Sequence, residues 1–205
     1  MSKIRAAITA VEGYVPDYIL TNEELSRMMD TSDEWIMTRI GIRERRMLKE
    51  EGKATSDMAA IAVQNLLEKN NIDPKDIDGV ICCTVTPDMH FPATASIVAD
   101  KCNIRGGMSM DMNVGCSGFI YGLKTASLYI ESGFCKKLLL IGAEKMTSAI
   151  DYQDRATAPI FGDGAAVVLL EPTEEEVGVM DAILCSDGVG RKHLHMKAGG
   201  SLKPP

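Results

Sequence analysis

The sequence predicts an α/β protein, a sheet covered by helices, and three observations carry that expectation. Segments with strand character alternate with segments of helical period for most of the chain, the order that builds sheets with crossover helices. GVICCTV (79–85) is a continuous apolar run; strands of that kind are buried on both faces, as in parallel sheets. Gly41 and Gly133 each stand where a helical pattern stops, the usual place for a residue that tolerates left-handed backbone.

The elements follow in order. IRAAITAV (4–11) reads as a strand. Thr21 with Glu24 is a capping-box pattern before EELSRMMD, and Thr31 with Glu34 repeats it before EWIMTRIG. Residues 42–48 suit a short strand or hairpin arm. Thr55 and Ser56 are candidate caps for a helix over 57–70, whose Met58, Ile61, Ala62, Leu66 and Leu67 fall on one face. Asp73-Pro74 marks a turn. After the apolar strand, 93–102 suggests a helix, and GGMSMDMNV a weaker strand ending at Gly115. A long helix is expected over 117–132, and KKLLLIGAE (136–144) as a strand. Residues 145–160 read as an irregular connection. AAVVLLE (165–171) is a strand ended by Pro172, Glu174–Glu176 a solvated turn, and 177–186 one more strand. No internal repeat is visible. GVGRKHLHMKAGGSLKPP has no strong period, and a compact domain rarely ends on such a tail, so a longer protein is expected, with Pro205 left open as a natural end or a cleavage point.

The 205 residues are 45% hydrophobic and 25% charged, with a net charge of −7, an ordinary globular composition. Nucleic acid is not an expected partner: Arg43, Arg45 and Arg46 lie among acids, with no interleaved aromatics. No membrane partner is expected, since the longest apolar runs, LLLIGA and AAVVLLE, are too short to span a bilayer. The first residues lack the apolar core of an export signal, so a cytoplasmic protein with reduced thiols is expected. With six cysteines in no C-x-x-C pair and three histidines, no metal is expected. Adjacent Cys82 and Cys83 point to opposite faces of a strand and read as core.

Three stretches suggest chemistry. In NVGCSGFIYG, Cys116 follows a strand and opens a helix. Unpaired N–H groups and the positive dipole end there favour a thiolate and can hold an oxyanion, which suits acyl transfer through a thioester. A buried structural cysteine fits the local pattern as well. In TSDEWIMTRIGIRERR, Trp35 and Arg39 share a helix face; an indole beside guanidinium groups can stack on a base and meet phosphates, and a packed tryptophan next to a solvated basic turn is the alternative. In DYQDRATAPIFGDGAAVVLL, the Phe161–Gly164 run is a tight turn entering a strand, either a plain loop or a place of close backbone approach.

Together TSDEWIMTRIGIRERR, HFPATA (90–95), DMNVGCSGFIYGL and DRATAPIFGDGAAVVLL resemble β-ketoacyl-acyl carrier protein synthase III, in order and spacing. The resemblance implies a thiolase-like fold, layered α/β with a five-stranded mixed sheet per half. Only the first half would be complete in this chain: residues 1–172 as the half with the nucleophile, and 173–205 as the beginning of the second. It implies that Cys116 takes an acyl group, acetyl being expected, from acyl-coenzyme A (acyl-CoA). The acyl-enzyme would condense with malonyl-acyl carrier protein, losing carbon dioxide, to initiate type II fatty-acid synthesis. Acyl-CoA is then a substrate, and no cofactor is implied. Trp35 and Arg155 would sandwich the adenine of coenzyme A, with Thr31 and Arg39 nearby. Phe161 would line the tunnel to Cys116, Met146 the acyl pocket, and Phe91 would reach into the partner of a homodimer. Where alanines often flank the family's cysteine, this chain has Gly115 and Ser117. The family's catalytic histidine and asparagine lie beyond residue 205; His90, His193, His195 and Asn113 do not match their patterns, so this chain alone is expected to be inactive in condensation. Other readings are another thiolase-fold condensing enzyme, of the quinolone or polyketide starter or hydroxymethylglutaryl-coenzyme A synthase type, and a non-catalytic assembly subunit.

Overall fold

The structure, a computed structural model, describes residues 4–204; the expectation attached to Pro205 lies outside the described residues. Seven strands and five α-helices follow one another as β1 (Arg5–Tyr14), β2 (Ile19–Thr21), α1 (Asn22–Ser26), α2 (Asp33–Arg39), β3 (Glu44–Arg46), α3 (Thr55–Asn70), β4 (Gly79–Cys83), α4 (Thr94–Lys101), β5 (Met108–Met112), α5 (Gly118–Glu131), β6 (Leu138–Lys145) and β7 (Asp163–Thr173). The main sheet has the order β1-β7-β6-β4-β5, and β2 pairs with β3 apart from it. β4 runs parallel to β5 and β6, and β7 runs against both β6 and β1, so the sheet is mixed and five-stranded.

Strand period two sorts the apolar runs into two cores. Val80, Cys82, Leu139, Ile141, Val167 and Leu169 face α3 and α4 on one side. Ile81, Cys83, Leu138, Leu140, Val168 and Leu170 face α5 on the other. The two adjacent cysteines therefore lie in different cores. β4 is buried along its whole length, as its unbroken apolar sequence predicts. A third, smaller cluster (Leu20, Leu25, Met29, Ile36, Ala158) joins the α1–α2 segment to the loop before β7. Among the described residues no helix is long and apolar enough to cross a membrane.

Several expectations are corrected. Residues 177–186 form no strand. One backbone bond, Val179 N–H to Ala6 O at 2.8 Å, lays the segment beside β1, and Met180 and Ile183 stay exposed; β propensity without a partner ladder leaves extended chain. Pro172 does not end β7 but lies inside it, opposite Ala6. β6 flanks β7 only as far as Leu170, so on that side proline's missing N–H removes no ladder bond. The cap of α2 is Ser32, whose Oγ accepts from Trp35 N–H at 3.1 Å, not Thr31. Thr21 caps α1 through Glu24 N–H, also at 3.1 Å. The reciprocal half of that capping box is absent, because the Glu24 carboxylate takes the Tyr18 hydroxyl instead.

Thr55 and Ser56 lie inside α3 rather than capping it. Thr55 Oγ1 donates to Thr86 O at 2.6 Å, and Ser56 gives both its N–H and its hydroxyl to Asp88. The start of α3 is held by Asp57, which accepts from Ala54 N–H at 2.9 Å and pairs with Lys53 at 3.1 Å and Lys101 at 2.9 Å. Burial pushes the Asp57 carboxyl up, but those hydrogen bonds outweigh it and hold the group below its ordinary 3.8. A carboxyl lowered on folding stabilises above its unfolded pKa and stops doing so as pH falls through its folded one. Asp57→Asn is therefore expected to cost about 1 kcal/mol near neutral pH. That difference should shrink as pH falls below 3.8, which urea unfolding at neutral and acid pH measures.

Candidate active site

Cys116 sits in a 3₁₀ turn, Gly115–Ser117, between the carboxyl end of β5 and the first residue of α5. The turn needs φ of +58° at Gly115, a region L side chains rarely adopt. No side chain caps the start of α5, so its first-turn N–H groups have no side-chain acceptor, beside an exposed thiol. The helix lies very close to the sheet. A Cβ on Gly118 would stand 3.1 Å from Cys83 Cβ, and one on Gly122 2.6 Å from Leu140 Cδ1 and 2.7 Å from Cys83 Sγ. Cys83 Sγ also lies 3.1 Å from Gly118 O. Glycines one turn apart thus set the height of α5, and with it the place of Cys116.

The other thiols divide by burial. Cys82, Cys83, Cys102 and Cys135 are buried, and Cys185 alone shares exposure with Cys116. Burial pushes Cys83 and Cys102 up to about 11 and raises Cys82 and Cys135 as well, which keeps these four in the unreactive thiol form.

Topology gathers the loops that carry the other candidates. β4, β5 and β6 are parallel, so the loops after them leave the same edge of the sheet, the edge where open α/β sheets place ligands. Cys116 follows β5, Met146 follows β6, and Phe161 precedes β7, which runs the other way and so starts at that same edge. Met146 and Phe161 are half-buried. Asp163, 5% exposed, joins their loops: its carboxylate accepts from Thr147 N–H at 2.9 Å, Thr147 Oγ1 at 2.6 Å and Leu48 N–H at 2.8 Å. Glu144 does the same for the β4 loop, accepting from Val85 N–H at 2.8 Å, Thr86 N–H at 3.0 Å and the hydroxyls of Thr84 and Thr86. Phe91 stands 86% exposed on a loop closed by a 3.2 Å bond from Asp88 N–H to Thr94 Oγ1.

The second cluster lies on α2. Trp35 and Arg39 line a cavity of about 310 Å³ with Ser32, Glu34 and Thr38. Arg155 reaches this group from the loop before β7: its guanidinium carbon is 5.3 Å from the centre of the Trp35 ring, and it bonds Asp30 O and Oδ2 at 3.2 and 3.3 Å. The expected pair is brought together but in mutual contact. A ring between them would need two stacking contacts of about 3.5 Å each, so Arg155 must leave Asp30 to admit one. Thr31 is adjacent, with its Oγ1 buried and unpaired.

Sequence reasoning missed three groups. Arg45, counted there in a basic cluster, is 5% exposed. Asn22 and Glu144 are the others. The only sequence sign is that Arg45 stands in the alternating arm IRERR, where every second residue shares a face.

A five-stranded mixed sheet with one reversed strand, and a cysteine on a glycine turn ahead of the helix covering one of its faces, define a thiolase-like fold. Residues 110–188 match the family model described as 3-oxoacyl-[acyl-carrier-protein (ACP)] synthase III. The beta-ketoacyl-[acyl-carrier-protein] synthase III of Phocaeicola vulgatus is 57% identical over all 205 residues, which cover 61% of that protein. The crystal structure of the Thermus thermophilus synthase III superposes with a TM-score of 0.88 at 40% identity, over 92% of this chain and 58% of that one. The synthase III from Aquifex aeolicus gives 0.80 at 42% identity, over 83% and 55%. The chain is thus similar to β-ketoacyl-acyl carrier protein synthase III enzymes, and it spans about three fifths of the length of the curated relatives it matches.

Proposed function

We propose that the whole protein transfers an acyl group, acetyl first, from acyl-CoA to Cys116 and condenses it with malonyl-acyl carrier protein to begin fatty-acid synthesis. The observation that carries this reading is the exposed Cys116 on the Gly115 turn, at the uncapped start of α5, while four other thiols are buried. The Cys116 thiolate attacks the thioester carbonyl. The oxyanion is met by N–H groups at the start of α5, and the tetrahedral adduct collapses to expel the coenzyme A thiolate. One thioester replaces another. In condensation, malonyl loses carbon dioxide, the resulting carbanion attacks the Cys116 thioester, and the thiolate is released. Trp35 and Arg155, with Thr31 and Arg39, hold the adenine end of coenzyme A once Arg155 swings off Asp30. Phe161 and Met146 line the way to the thiol. No metal or cofactor takes part.

Residues 1–172 are proposed as the first half of the enzyme and 173–205 as the start of the second. The extended, exposed, apolar 177–186 segment with its single ladder bond supports this. A cytoplasmic homodimer is proposed, with Phe91 reaching the partner; its 86% exposure supports this, and β5, half-buried and last in the sheet order, offers an open edge. The family's catalytic histidine and asparagine are not among these 205 residues. The chain should therefore be acetylated by acetyl-CoA yet form no 3-oxoacyl-acyl carrier protein from malonyl-acyl carrier protein. Mass spectrometry of both proteins after incubation tests this. Condensation by the chain alone would contradict the division of labour, and absence of any acetylation would contradict the nucleophile.

A further inference from the structure

We infer that Arg45 is a positioning residue for the Trp35–Arg155 site, tying α2 to the loop that carries Arg155. A line of three hydrogen bonds, each 2.8 Å, runs through it. Asn22 Nδ2 donates to Asp33 Oδ1 at the first residue of α2. Arg45 Nη1 donates to Asn22 Oδ1, and Arg45 Nη2 to Pro159 O. Asp33 is two residues before Trp35; Pro159 is four after Arg155 and two before Phe161. Asn22 is 2% and Arg45 5% exposed, so the two bonds made by Arg45 are dry, while Asp33 at the α2 end is exposed. Asn22 spends its second Nδ2 proton on Ile42 O, which fixes the orientation of its amide.

The chemistry argues against Arg45 as mere filling. Every acceptor of its guanidinium is neutral: Leu20 O, Asn22 Oδ1 and Pro159 O. Its Nε is buried without a partner. Burial holds the group below its ordinary value. An apolar side chain of similar volume would fill the space at less cost. What it would lack is the planar fork, whose two ends bond different segments at a fixed spacing. The backbone is fitted to the same contact: a Cβ on Gly162 would meet Arg45 Cβ and Arg46 O, each at 3.0 Å. The fork thus sets how far the Arg155 loop stands from the Trp35 helix, and so the opening available to a flat ring.

This rests on the proposed coenzyme A site, and the test separates the two. Trp35 is the one tryptophan in the chain, so its fluorescence reports the site alone. Wild type, Arg45→Lys and Arg45→Met are titrated with coenzyme A, and acrylamide quenching is measured on each free protein. Expected are a Kd weaker by about 10-fold in Arg45→Met, an intermediate value in Arg45→Lys, and stronger quenching in both. The lysine variant keeps the charge and decides the matter if the methionine variant does not fold. Equal affinity and quenching in a folded variant would overturn the inference and leave the coenzyme A site standing. If wild type shows no response to coenzyme A, that site falls. Positioning then stands only if quenching rises in the variants, and is overturned if it does not.

Discussion

Asp163→Ala is expected to destabilise the protein by about 3–5 kcal/mol, because it strands two backbone N–H groups and a hydroxyl in a dry interior. The Asp163 carboxylate is the common acceptor for Leu48 N–H, Thr147 N–H and Thr147 Oγ1. Three parts of the chain meet there: the segment after β3, the turn after β6 and the first residue of β7. Without the carboxylate each donor loses its partner. Met146 and Phe161 flank this junction, so the lining of the proposed acyl path should loosen with it. Asp163→Asn keeps one acceptor oxygen and should lose less. Urea unfolding of the three proteins gives the order, and equal stability of Asp163→Ala and wild type would contradict the role given to the junction.

Gly122→Ala should cost about 1–3 kcal/mol, the range for one methyl forced into a packed core. The new Cβ would sit 2.6 Å from Leu140 Cδ1 and 2.7 Å from Cys83 Sγ. Both neighbours are buried in the core under α5, so the added methyl is expected to push the helix away from the sheet. Cys116 stands two residues before that helix begins and should move with it. The expected signature is therefore double: a lower unfolding midpoint, and a changed rate of Cys116 modification by a thiol reagent under native conditions. An exposed small-to-large change on the same helix would do neither.

Much of this was legible because it depends on local pattern. The unbroken apolar runs gave β4, β6 and most of β7, and period two put Cys82 and Cys83 on opposite faces of one strand, where the structure has two separate cores. Gly115 beside Cys116 marked a strand-to-helix turn, since few other residues accept that backbone. What stayed hidden depends on partners distant in sequence. β2 is three residues long and exists only because β3 lies opposite. Thr55 and Ser56 carry the chemistry of caps, yet Thr86 and Asp88 claim their side chains. The 177–186 segment has strand composition and a single ladder bond. Arg45 has the composition of a surface residue and is buried, because Asn22 and Pro159, 23 and 114 residues away, supply its acceptors.

Cys116 is the thiol proposed to accept the acyl group. The most direct measurement is peptide mapping of the acetyl group after incubation with acetyl-CoA, on wild type and Cys116→Ala. One thioester is expected, on Cys116, absent from the variant. Cys185, the other exposed thiol, serves as the internal control and should stay unmodified. Acetylation of Cys185 to the same extent, or an acetyl group that persists in Cys116→Ala, would rule out Cys116 as the specific acyl acceptor.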